Sequence, residues 1–130
     1  DEGKILVFSE FLTILDILEI ALDDYGIKCL RYDGTMSESD RSSTKDEFQL
    51  ADDPRVMLLT CKAGGQGLTL IRATTVIILT PCWNPSIEQQ CIARANRIGQ
   101  NRQVTVIHLD VQNGIERHVR HLRDNKAEKA

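Results

Sequence analysis

A chain of 130 residues is long enough for one domain that buries roughly two thirds of its unfolded surface, and 42% hydrophobic with 27% charged residues is an ordinary globular balance. No apolar run approaches the roughly 20 residues that cross a bilayer and no secretory signal is visible, so no membrane partner is expected. A net charge of −3 excludes bulk attraction to nucleic acid and leaves such binding only to a local patch.

In chain order, Lys4 to Phe8 is a short continuous apolar run of the buried-strand kind. Behind it Phe11, Leu15, Leu18, Leu22 and Tyr25 keep the rhythm of a helix, with Ser9 as its N-cap and Gly26 as its stop. Cys29 to Tyr32 reads as a second strand, closed by Asp33-Gly34. Ser37 and Asp40 make a capping-box pattern that opens a polar surface helix to about Leu50, with Phe48 and Leu50 as nearly its only large anchors. Val56 to Thr60 and Thr75 to Leu79 are the third and fourth strands. Pro85 suits the first turn of the next helix, which is expected to reach about Ile98. Val104 to Leu109 is a fifth strand, and Gly114 opens a last helix.

Strands alternating with helices at this spacing specify an α/β fold, RecA-like or Rossmann-like. Three layers are expected, a mostly parallel sheet with helices on both faces. Residues 1–130 read as a single domain with a frayed tail from Arg123 to Ala130. Beginning at Asp1 rather than Met, the chain reads as a piece of something longer. Its four cysteines, Cys29, Cys61, Cys82 and Cys91, lack Cys-x-x-Cys spacing and are expected to be reduced thiols. His118 and His121 share a predicted helix face without a third ligand, so no metal site is expected.

Ligands in such folds collect outside the carboxyl ends of the strands, here the loops after Phe8, Tyr32, Thr60 and Leu79. The loop from Thr60 to Leu70 carries Gly64, Gly65 and Gly67, which let backbone amides approach an anion, with Lys62 and the Thr60 hydroxyl as further donors. A flexible connection accounts for the glycines as well. Their spacing is not that of a dinucleotide fingerprint. Trp83, the only tryptophan, stands between Pro81 and Pro85. It either stacks on a base or sugar with Asn84 as polar partner, or caps the core beneath its loop. Arg94 and Arg97 stand three apart on what should be one helical turn, so both guanidiniums can face one target. An anion between them, such as a triphosphate, removes their repulsion; a solvated basic helix end near the macrodipole accounts for them equally.

Lys62-Ala63-Gly64-Gly65-x-Gly67-Leu68, then Trp83-Asn84-Pro85, then Gln90-x3-Arg94-x2-Arg97-Ile98-Gly99-Gln100 resembles the second motor lobe of the Swi/Snf-like ATPases, DNA translocases of helicase superfamily two. Leu6 to Phe11, Tyr32 to Thr35 with Arg41 and Phe48, and Ile115-Glu116-Arg117 extend the likeness over almost the whole chain. The resemblance implies that Arg94 and Arg97 are arginine fingers for the γ-phosphate of ATP, and that Gln90 and Gly67 lie at the nucleotide. It implies DNA-backbone contacts from Thr35, Thr60, Lys62, Ala63 and Gly64, and minor-groove contacts from Trp83 and Asn84. It further implies a nuclear protein that uses ATP and Mg²⁺, partnered by a first RecA-like lobe and by double-stranded DNA or nucleosomes.

Thr69 stands where the family usually has asparagine, Thr80 where an aspartate is common, and Asn96 where a histidine is common. Thr44 and Lys45 replace apolar residues of the second helix, which implies looser packing there. The sequence holds no G-x-x-x-x-G-K-[ST] phosphate loop and no acidic Mg²⁺ motif; Asp1 to Lys4 resembles fragments of both only superficially. The chain is therefore expected to supply half of a composite site and to be inactive alone. The competing expectation is a non-catalytic scaffold or protein-docking module derived from such a lobe.

Overall fold

The computed structural model describes residues 3–63, 70–80, 85–96 and 100–110. Strands β1 (Lys4–Ser9), β2 (Cys29–Tyr32), β3 (Val56–Thr60), β4 (Ala73–Thr80) and β5 (Thr105–Asp110) alternate with helices α1 (Leu12–Asp24), α2 (Glu38–Leu50) and α3 (Pro85–Ala93). The sheet has the order β2-β3-β1-β4-β5, and each of its pairings is parallel. Its central strand β1 lies in register with both neighbours, Val7 opposite Leu58 and Ile77. The expected α/β, RecA-like architecture is thus the observed one, with β4 starting two residues earlier than the sequence pattern suggested.

The inner strands β1, β3 and β4 read as largely apolar runs because the sheet is covered on both faces there, whereas Ile107 and Leu109 of β5 are exposed. Val7, Leu58 and Leu79 point to the face covered by Leu15, Leu18 and Leu22 of α1. Leu6, Phe8, Met57, Leu59 and Ile78 point the other way, against Phe48 of α2 and Cys91 of α3.

Several local expectations change. Ser9 does not cap α1: Phe11 is its N-cap, and the Ser9 hydroxyl accepts from the Phe11 N–H at 3.1 Å to shape the entry turn. Phe11 and Tyr25, the ends of the expected stripe, are exposed. Gly26 does stop the helix, at φ 75°, with its N–H bonded to Asp23 O and that of Ile27 to Leu22 O, a Schellman arrangement. Ser37 caps α2 by accepting from the Asp40 N–H at 3.0 Å. Phe48 anchors that helix, but Leu50 is 81% exposed; two residues turn the chain roughly 200° around a helix, so both cannot face the sheet.

The carboxyl end of α2 is closed from outside the helix. Lys4, 1% exposed, donates its ammonium to the carbonyls of Phe48 and Ala51 and lies 4.9 Å from the Phe48 ring centroid. Arg72 donates to Gln49 O at 2.9 Å. These side chains satisfy carbonyls that no helical N–H can reach and set cations at the negative end of the dipole.

Candidate functional site

A cleft of about 570 Å³ opens at the carboxyl ends of β1, β2 and β3, beside the point where the chain order in the sheet reverses direction. Thr35, Thr60, Lys62 and Ala63 line it together, with Glu10 and Phe11 from the β1 loop, Gly34 beside Thr35, and Ile87 from the first turn of α3. Parallel strands end on one edge of the sheet, which is why loops so far apart in sequence converge there.

Counting donors assigns the walls different chemistry. Thr60 Oγ1 accepts from the Ala63 N–H at 3.3 Å, which folds the loop after β3 and leaves the hydroxyl hydrogen available to a ligand. Lys62 is exposed beside it. On the opposite wall Thr35 turns its donors inward: its N–H reaches Asp33 Oδ1 at 2.9 Å and its hydroxyl donates to the same oxygen. Thr35 therefore presents lone pairs and a methyl group to the cleft. Asp33 is 4% exposed. Burial alone would raise its carboxyl, but the two Thr35 hydrogen bonds and the Arg31 guanidinium outweigh burial and hold it below the usual carboxylate range.

Cys61 forms part of the cleft floor. It is 2% exposed and Cys91 of α3 1%. The hydrogen bond with the Cys91 thiol, together with burial, pushes the Cys61 thiol far up. Cys29, Cys61 and Cys91 are free thiols, as expected; Cys82 lies outside the described residues.

The arginine segment departs from its expected course. α3 ends at Ala93, so Arg94 stands in the turn behind it and not on the helix expected to reach about Ile98. The turn tightens through bonds from Arg94 N to Cys91 O and Ala95 N to Ile92 O, the three-residue spacing common at helix ends. Arg94 is 3% exposed; its Nε donates to Gln90 O at 2.8 Å, and its carbonyl accepts from Leu70 N at 2.8 Å. The Gln90 side chain is exposed. Gln100 donates through Nε2 to the carbonyls of Ile71, Ala73 and Ala95 and accepts from Arg102 N, tying the strand after the segment to β4.

Arg97, Gly64, Gly67, Trp83 and Asn84 lie outside the described residues, as do the last helix and its two histidines. Among the described residues no group of three His, Cys, Asp or Glu side chains is placed to hold a metal, and no helix is long and apolar enough to cross a membrane. Sequence reading missed Glu10, Phe11, Gly34 and Ile87 as cleft residues. In sequence Phe11 reads as part of a helical stripe and Gly34 as a turn signal.

A profile described as the helicase conserved C-terminal domain matches residues 1–99. The DNA repair protein RAD5 of Cryptococcus neoformans is 40% identical over 126 residues, which cover 96% of this chain and 10% of that protein. The helicase-like transcription factor of Homo sapiens is 38% identical over 129 residues, 98% of this chain and 13% of that protein. The chain thus spans about a tenth of the length of these relatives. Among solved structures, the C-terminal part of the Fun30 ATPase domain superposes with a TM-score of 0.79 at 39% identity, covering 82% of this chain and 34% of that one. With the parallel sheet, its order and its cleft already in place, these likenesses establish that the chain belongs to the helicase conserved C-terminal domains of Swi/Snf-type, superfamily-two helicases.

Proposed function

We propose that this chain is the second motor lobe of a DNA-dependent ATPase and translocase that works in chromatin remodelling or DNA repair in the nucleus. The observation that carries the reading is the convergence of Thr35, Thr60, Lys62 and Ala63, from two loops distant in sequence, on one cleft at the carboxyl edge of the sheet. Lys62 and the Thr60 hydroxyl hold a phosphate of the tracked strand, Ala63 and Gly64 let it come close, and Thr35 meets the strand from the other wall. Trp83 and Asn84 reach the minor groove.

ATP and Mg²⁺ belong to the intact two-lobed motor. The donor set of this chain fits only part of that role: it has arginines to offer a triphosphate and no phosphate loop to bind one. Bound between the lobes, ATP would supply the free energy for their closing and reopening. Arg97 would serve as the finger for the γ-phosphate, Arg94 secures its own turn from a buried position, and Gln90 and Gly67 would serve the nucleotide side of the same site. A finger of this kind is worth about 10³ to 10⁵ in rate. In the full-length protein, Arg97→Ala should abolish DNA-stimulated ATP hydrolysis while ATP binding persists; unchanged turnover would refute the assigned role.

A further inference from the structure

The turn after β2 has two properties that packing does not explain. Gly34 does not adopt a positive φ, and a Cβ built on it would meet nothing within 4 Å. Neither backbone conformation nor internal contact therefore requires glycine at this position. The space above its Cα belongs to the cleft, and only a body arriving from outside would collide with a side chain there.

The same turn is held unusually firmly for the end of an edge strand. Among the described residues β2 pairs with β3 alone, so no second described strand fixes its carboxyl end. Asp33 does so instead, accepting both donors of Thr35 through one oxygen and the Arg31 Nη2 at 3.1 Å through the other. Arg31 in turn gives its Nη1 to Asp16 at 2.8 Å and to Glu19 at 3.0 Å, both on α1. One planar fork joins the turn to the helix that covers the same side of the strand, a span that a point charge cannot reproduce. Its Nε is buried without a partner, a cost that indicates the guanidinium is placed by its two terminal nitrogens.

We infer that Gly34 is a contact point at which the sugar–phosphate backbone of DNA approaches the main chain, and that Arg31 is the positioning residue that holds this turn, through Asp33, at the required height. The inference rests on the reading of the cleft as the DNA site. It divides the cleft chemically: the Lys62 and Thr60 wall donates to phosphate, while the Gly34 and Thr35 wall offers close approach without hydrogen-bond donation from Thr35.

The test uses the full-length protein and duplex DNA, reading the DNA concentration that half-saturates ATPase stimulation, the maximal rate and the thermal unfolding midpoint. Gly34→Ala should raise the half-saturating concentration about tenfold without lowering the midpoint. Arg31→Ala should raise it about tenfold, proportionally more than the maximal rate falls, and Arg31→Lys should restore part of the loss. Lys62→Ala reports on the cleft itself. If it weakens DNA dependence while Gly34→Ala stays within about twofold of the parent, the inference fails and the cleft reading stands. If Lys62→Ala, Gly34→Ala and Arg31→Ala all leave DNA dependence unchanged, the cleft reading fails and takes the inference with it. An Arg31→Ala protein with a lowered midpoint and unchanged half-saturation would show the clasp to be structural only.

Discussion

Replacing Lys4 by methionine isolates the closure of α2 from everything at the cleft. Lys4 sits at the amino end of β1, on the opposite edge of the sheet from the cleft, and methionine fills its stem with little change in volume. What disappears are two charge-assisted hydrogen bonds to Phe48 O and Ala51 O and the contact with the Phe48 ring. Each such bond is worth about 1.5–3 kcal/mol, and the carbonyls left behind are buried or half-buried. Against this stands relief from burying an ammonium, which for a paired charge recovers a good part of the loss. The net expectation is destabilisation of about 2–4 kcal/mol, read as a lower urea midpoint at constant slope. The pH profile supplies a second readout. Burial, and then the nearby Arg72, lower the Lys4 pKa from 10.5. Between that lowered value and 10.5 the unfolded chain binds the extra proton, so this group makes stability rise with pH there. Lys4→Met should abolish that rise. A variant as stable as the parent would mean that desolvation cancels the hydrogen bonds and that α2 does not depend on this lysine.

Gln100→Ala should cost about 2–4 kcal/mol by urea denaturation, because the side chain serves three carbonyls and one N–H. Gln100→Glu should be at least as harmful, since a carboxylate cannot donate to those carbonyls. Asp33→Asn should weaken both stability and DNA dependence by an amount that is constant near neutral pH. The depressed pKa of Asp33 means that its contribution is complete above the ordinary carboxylate range and is lost only as pH falls through the lowered value. The variant's deficit should therefore shrink only in strong acid; a deficit already fading between about pH 5 and 6 would contradict the ion pair. Cys61 and Cys91 should react with a thiol reagent only as fast as the protein opens, since both are buried and the Cys61 thiol resists ionisation.

The inner strands were legible because burial on two faces leaves little room for polar residues to interrupt an apolar run, and the stop at Gly26 because a left-handed residue announces itself chemically. Helix ends were harder. Ser9 has the chemistry of a cap, but a two-residue turn with Phe11 engages it first. Tyr25 matches the spacing from Leu22, yet about 100° per residue carries it off the stripe that Leu15 defines. The hydrogen-bonded closures were not legible at all. Lys4 looks like a polar strand boundary, and nothing local to it predicts carbonyls 44 and 47 residues away. The cleft was half legible: positions with donor chemistry stood out, whereas Phe11, Ile87 and Gly34 offer only shape, which exists once the loops converge.

The arginine segment separates the two kinds of reading most sharply. Spacing alone makes Arg94 and Arg97 equivalent, because three residues apart on a helix is one face. The helix ends before Arg94, and the surroundings of Arg94 give it a role of its own. Arg94 is 3% exposed, uses its Nε on Gln90 O, and lends its carbonyl to Leu70, the residue after the glycine-rich loop. To meet a phosphate across an inter-lobe cleft its Nε would have to release a bond within its own turn, whereas holding the turn needs no rearrangement. Arg94→Ala should consequently lower the unfolding midpoint and the ATPase rate together, by about 2 kcal/mol or more in stability. Arg97→Ala should cost about 10³ in rate with the midpoint unmoved. If Arg94→Ala matched Arg97→Ala in rate while leaving stability intact, burial would have misled, and both guanidiniums would belong to the phosphate.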